Sequence, residues 1–173
     1  MAGLAQKGGA VACHLKIVDT SEAINSFRVG TGSANVILGG DLVVTASNKV
    51  LESIKPDSTA VVVNTYEMTT GDFTRDPLLQ VPGRTLLDSI ADHVRGGDLI
   101  PLDAHDYAVK LFGDSIMSNL FLLGMAYQMG KLPISSEAIE EAIKLNGAAE
   151  DMNRQAFRFG RLAANDSEAL ERI

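Results

Sequence analysis

Cysteine is all but missing from this chain: among 173 residues only Cys13 carries a thiol. One thiol excludes an internal disulfide, and it excludes a zinc site or iron–sulfur cluster ligated by cysteines of this chain alone. Long apolar runs are lacking too. The longest, residues 120–127, is interrupted at Gly124 and flanked by Asn119 and Gln128, well short of the roughly 20 residues a membrane-spanning helix needs. No secretory leader pattern is visible, so the compartment reads as cytoplasmic. Basic residues are in the minority, 15 against 22 acidic ones, with a formal charge of -7 and a pI near 4.9. Nucleic acid and anionic membrane need a clustered positive field, so neither is expected as the main partner.

What is present suffices for one domain, since 46% hydrophobic content over this length can build a sizeable core. Apolar or alternating runs bounded by Gly, Ser and Asn predict strands at residues 10–18, 35–38 and 59–64, with a further one at 98–102. Between the second and third lies a helix that Asp41 caps and Lys55-Pro56 ends, because the residue before proline avoids the α region. A second helix runs from about Thr85 to a stop at Gly96-Gly97. After Ala104 the chain reads as helical to its end. Residues 115–129 are apolar on almost every face, which predicts burial, and Gly130 and Pro133 close the segment. A short helix begins at Ser135 or Ser136, with Ala138, Ile139, Ala142 and Ile143 on one side and a Glu140 to Lys144 pair on the other. Past Gly147, a last helix has Met152, Ala156, Phe159 and Ala163 as its core side. The pattern predicts an α/β fold, a three-layer sandwich with a mixed or mostly parallel sheet and a helical C-terminal third.

Three sets of residues invite a chemical reading, and none supplies a catalytic residue. Gln6-Lys7-Gly8-Gly9 is a loop whose backbone and ammonium can approach a ligand or a neighbouring domain; it is otherwise a turn before an edge strand. It lacks the Gly-Lys-Ser/Thr order of a Walker loop. Cys13 and His14 are neighbours on a predicted strand, so they point to opposite faces, while His93 and His105 sit among solvated helical residues. No metal site is expected from them. Asn119 lies in an apolar helix where its amide needs partners and can tie that helix to a loop. Arg154, Arg158 and Arg161 recur at one-turn spacing, with Glu150 placed to pair with Arg154. They form either a solvated face or a docking face.

The opening Ala5-Gln6-Lys7-Gly8-Gly9, followed by Val11-Ala12-Cys13-His14-Leu15-Lys16-Ile17, resembles the gamma domain of the 2-oxoacid:ferredoxin oxidoreductases. The resemblance continues through Gly39-Gly40-Asp41-Leu42-Val43-Val44-Thr45-Ala46-Ser47, Val62-Val63-Asn64-Thr65-Tyr66-Glu67 and Phe73-Thr74-Arg75-Asp76. Gly113-Asp114-Ser115-Ile116-Met117-Ser118-Asn119, Glu141-Ala142-Ile143-Lys144-Leu145-Asn146-Gly147 and the segment around Arg154 to Arg161 complete it. Within the family the chain is most similar to the C-terminal portion of the long, fused indolepyruvate ferredoxin oxidoreductases.

That resemblance implies a single gamma-type domain over residues 1–173. Related domains begin with a strand, a Gly-rich turn and a helix, so an N-terminally truncated domain is expected here. It implies a non-autonomous part of an enzyme that oxidatively decarboxylates a 2-oxoacid, an aryl pyruvate or indolepyruvate, to the acyl coenzyme A. Thiamine diphosphate and [4Fe–4S] clusters reside in the thiamine-binding and iron–sulfur partner domains, with ferredoxin as acceptor. The role left for this chain is assembly or contact with coenzyme A; alone it is expected to be inactive, with no bound cofactor. An unpaired strand edge left by the short front would be repaired most simply by a homodimer. The alternative reading is a nucleotide-binding or oligomerisation module retained without enzyme activity.

Overall fold

The β-branched run Ala60–Asn64 forms the central strand β2 and is buried along its whole length. The structure, a computed structural model, describes residues 11–20, 22, 24, 26–66, 83–95 and 98–171. On either side of β2, β1 (Val36–Gly39) and β3 (Leu99–Leu102) pair with it in parallel, Val36 opposite Ala60 and Val61 opposite Leu99. Val61 and Val63 enter one core with Leu42, Leu51, Ile54, Ile90 and Val94. Val62 points the other way, onto Phe121, Leu122 and Met125. A strand with no polar face is what a parallel sheet covered on both sides requires, and each buried valine contributes roughly 2 kcal/mol.

Helices α1 (Leu42–Thr45), α2 (Asn48–Leu51) and α3 (Gly83–His93) cover the first face. The single helix expected between the second and third predicted strands is therefore two separate turns. Thr45 Oγ1 donates to the Asp41 carbonyl at 2.6 Å, and Ser47 Oγ donates to the Val44 carbonyl at 2.7 Å. Hydroxyls that bond to nearby carbonyls compete with continued helix, and the break falls at Ala46 and Ser47. Asp41 does cap the first turn, with Val44 N donating to its Oδ1 at 2.8 Å.

The second face is covered by α4 (Ala104–Phe112) and α5 (Ser118–Gln128), the latter preceded by a single tight turn at Ser115–Met117. Helices α6 (Ser136–Asn146), α7 (Glu150–Asn165) and α8 (Ser167–Glu171) finish the chain. Gly147 ends α6 at φ 68, a left-handed conformation that glycine adopts without a Cβ penalty. Helix α5 is buried on nearly all sides because α7 lies against it with almost no spacing. A Cβ at Gly124 would stand 2.1 Å from the Phe157 carbonyl oxygen, and one at Gly160 would stand 2.0 Å from that of Phe121. Two glycines facing in opposite directions thus bring the two backbones into contact.

That seam widens the core side of α7 beyond the expected one. Ala156 is buried and Phe159 and Ala163 pack against the core as expected, Phe157 and Gly160 are buried as well, and Met152 is exposed. The bulky apolar positions miss Gly160 because the helix packs there through its smallest residue. On α6, Ile139 and Ile143 are buried while Ala138 and Ala142 face solvent.

The strand expected at residues 10–18 is absent from its described part. Residues 11–18 are irregular and exposed, Leu15 by 81%. Alternation makes a strand only when the segment pairs with an edge, and among the described residues this one pairs with none. Asp98 as a strand residue is likewise trimmed, since β3 begins at Leu99. Among the described residues, no helix is long and apolar enough to cross a membrane.

Candidate functional site

All three strands run in the same direction, so their carboxyl ends open onto one place. A crevice of about 200 Å³ lies there, lined by Gly40 and Asp41 after β1, Asn64 and Tyr66 at the end of β2, His105 in the first turn of α4, and Ser115, Ser118 and Asn119 at the start of α5. Its floor is Asn64, only 5% exposed. The Asn64 Oδ1 accepts from Ala104 N at 3.0 Å and from Tyr66 N at 3.3 Å, while its Nδ2 donates to the Gly40 carbonyl at 3.2 Å. One buried amide therefore holds together the exits of all three strands, each of which would otherwise leave a polar backbone group unsatisfied.

The side chains above this floor are less committed. Asn119 is exposed on the second residue of α5, and its Oδ1 lies 3.5 Å from the place a Cβ on Gly40 would take. Among the described residues it makes no bond to a loop. Tyr66 and His105 stack face to face, centroids 3.6 Å apart and planes 4° from parallel. Just before the crevice, a Cβ on Gly39 would meet Thr45 Oγ1 at 2.3 Å, so glycine lets the end of α1 pack this close to β1. Among the described residues, the lining carries the Asp41 carboxyl and no lysine or arginine. That described lining offers polar hydrogen-bonding groups and no cationic partner for a phosphate.

The arginine stripe is largely spent on joining α7 to α6. Arg158 grips Glu140 with two bonds, at 2.9 and 2.7 Å, and Arg154 pairs with Glu150 and lies 3.8 Å from Glu140. The Arg158 hydrogen bond, reinforced by the charges of both arginines, holds the Glu140 carboxyl below its ordinary value of 4.5. The expected Glu140 to Lys144 pair is displaced: a forked guanidinium outcompetes an ammonium, and Lys144 sits 3.7 Å from Glu141 instead. Arg161 differs from its neighbours in the stripe. It donates to Gln128 Oε1 at 3.0 Å and lies over the Tyr127 ring at 5.0 Å, beside a shallow opening with Leu162 and Asn165.

Gln6, Lys7, Gly8 and Gly9 lie outside the described residues. Cys13 and His14 are not on a strand, and the one bond of His14 is accepted from Val29 N at 3.2 Å. His93 Nδ1 lies 2.8 Å from the Ser89 carbonyl. Among the described residues, no group of three His, Cys, Asp or Glu is placed to hold a metal. A cluster ligated by cysteines does not fit a chain with one thiol. Sequence reasoning passed over Asn64 and Tyr66 and weighed His105 only as a metal ligand, although Asn64 ends a predicted strand and the other two closely follow one, where crevices in open α/β sheets form.

A parallel sheet covered by helices on both faces, with a polar crevice outside its carboxyl ends, defines an α/β domain. The pattern of the pyruvate ferredoxin/flavodoxin oxidoreductase family matches residues 1–163, and the chain belongs to that family. It is 26% identical over 162 residues to indolepyruvate oxidoreductase subunit IorB of Archaeoglobus fulgidus, covering 91% of this chain and 75% of that one. No solved structure matches it. The chain is a gamma-type domain and a part of a 2-oxoacid ferredoxin oxidoreductase, as the resemblance implies.

Proposed function

We propose that this chain is the non-catalytic gamma-type unit of an aryl pyruvate or indolepyruvate ferredoxin oxidoreductase, and that its crevice receives a neutral polar group presented by the assembled enzyme. The observation that carries this reading is the crevice itself: a buried Asn64 fixes the three strand exits, and the groups above it can form hydrogen bonds without a proton transfer. Its volume is below the roughly 300–1,000 Å³ of a site for a whole drug-sized ligand, which suits one narrow arm. The amide-bearing chain of coenzyme A has that size and neutrality. The relative's name, an indolepyruvate oxidoreductase subunit, supports the aryl substrate class.

Thiamine diphosphate and the [4Fe–4S] clusters belong to the partner units, which supply the decarboxylation and the electron path to ferredoxin. The loop Gln6-Lys7-Gly8-Gly9 and the half-buried Arg161 are the surfaces assigned to those partners. Against a stand-alone nucleotide-binding module stand the Asp41 carboxylate and, among the described residues, a crevice lining without lysine or arginine.

Reconstitution with the partner subunits tests the reading. Asn119→Ala should leave the melting temperature of the isolated chain unchanged, because that side chain is exposed. It should raise the KM for coenzyme A in the assembled enzyme by about tenfold, the equivalent of one lost polar contact of about 1.4 kcal/mol. Gly9→Val should weaken assembly more than it destabilises the domain. Unchanged kinetics for both variants would overturn the assignment.

A further inference from the structure

We propose that residues 11–18 are an exchange strand, which in a dimer of this chain adds to the free edge of β1 in the second copy. The segment has the pattern of a strand. Val11, Cys13, Leu15 and Ile17 would share one face and Ala12, His14, Lys16 and Val18 the other. In the single chain, Val11 is 75% and Leu15 81% exposed, and among the described residues none of its backbone groups is hydrogen-bonded.

The two edges of the sheet are not equivalent. Ala60 N donates to the Asn35 carbonyl, so in a parallel ladder Asn35, Ile37 and Gly39 turn toward β2, while Val36 and Leu38 point their backbone groups outward. Among the described residues nothing bonds to those outward groups. At the other edge, Val61 N donates to Asp98 and Thr65 N to Leu102, which turns Leu99 and Pro101 outward. Pro101 has no N–H to give, so that edge is blunted and the β1 edge alone can accept a strand of ordinary pairing.

The faces also agree. Ile37 packs into the core under α1 to α3, and Leu38, on the opposite face, is 40% exposed. A strand that lays Leu15 and Ile17 beside Leu38 continues the layer that α5 covers. Gly32 N donates to the Glu52 carbonyl and fixes the chain there; the stretch from residue 19 to that anchor, at about 3.3 Å per residue, reaches some 40 Å, ample for a neighbouring copy. Among the described residues, each copy holds one unpaired strand-patterned segment and one open edge of ordinary pairing, so a two-fold exchange satisfies both at once and closes.

The single thiol reports the outcome, because Cys13 lies within the exchanged segment. Sedimentation of the full chain under reducing conditions should give a dimer that dissociates on dilution, and Cys13 should react with a maleimide about tenfold or more slowly in the dimer. Leu15→Pro, at a site exposed in the single chain and therefore harmless to its fold, should return a monomer with a fast-reacting thiol and an unchanged far-UV circular dichroism core. A monomer at every concentration overturns the proposal. So does a dimer that survives Leu15→Pro, which would indicate direct pairing of two β1 edges or another contact.

Discussion

The middle of α5 and its first turn are built on opposite terms. At Gly124 the helix touches the α7 backbone with no side chain between, and a methyl group has no room. One and a half turns earlier, Asn119 stands in the open crevice with its amide uncommitted among the described residues. The clamp lets the open turn keep a fixed position without contacts of its own: a recognition residue on a rigid element needs no local packing to hold it.

The comparison predicts a gradient of mutational effects. Gly124→Ala should be the largest, since the backbones must part before the methyl fits; about 3 kcal/mol of stability should be lost in denaturant titration. A loss under 1 kcal/mol would mean that α5 and α7 slide apart easily and that the clamp does not fix the crevice. Asn64→Ala comes next, between the two extremes, because it removes three bonds from buried backbone groups. A cost of about 2 kcal/mol is expected, together with loss of the Tyr66 to His105 stack, visible as altered ring chemical shifts. Retention of the stack would show that the strand exits hold without their common amide.

The smallest effect belongs to the seam between α6 and α7. The folded Glu140 carboxyl is held below its ordinary value of 4.5 by Arg158, so its stabilising contribution is complete above that value and fades as pH falls through the lowered one. Glu140→Gln should therefore destabilise slightly at pH 7 and converge with the parent only in acid, once the pH has fallen through the lowered value. Equal differences at pH 7 and in acid would assign the effect to packing instead of charge.

Much of the sheet was legible because burial on both faces leaves a continuous apolar run, as in Val61, Val62 and Val63, which no surface element can imitate. Capping by Asp41 and the stop at Gly147 were legible for a local reason: each is decided within one turn of chain. The α5–α7 seam was not, since Gly124 reads as an interruption in an apolar helix until Gly160, far along the sequence, is known to face it. The same holds for Glu140, whose nearest cation in sequence is not the one it binds. Residues 11–18 show the converse, a strong local pattern that pairs with no strand among the described residues of the single chain. The crevice escaped notice because its members are ordinary polar residues, made a site only by the parallel direction of three strands.

The stacked rings at the crevice have a spectroscopic consequence. The chain contains no tryptophan and three tyrosines, so its ultraviolet emission is a tyrosine signal. Of the three, Tyr66 alone has its ring against an imidazole, that of His105, at the mouth of the crevice. Any molecule that enters and separates the two rings changes the brightness of one of three emitters, and does so without a label. The domain thus carries an optical gauge of occupancy at the place where a ligand would arrive.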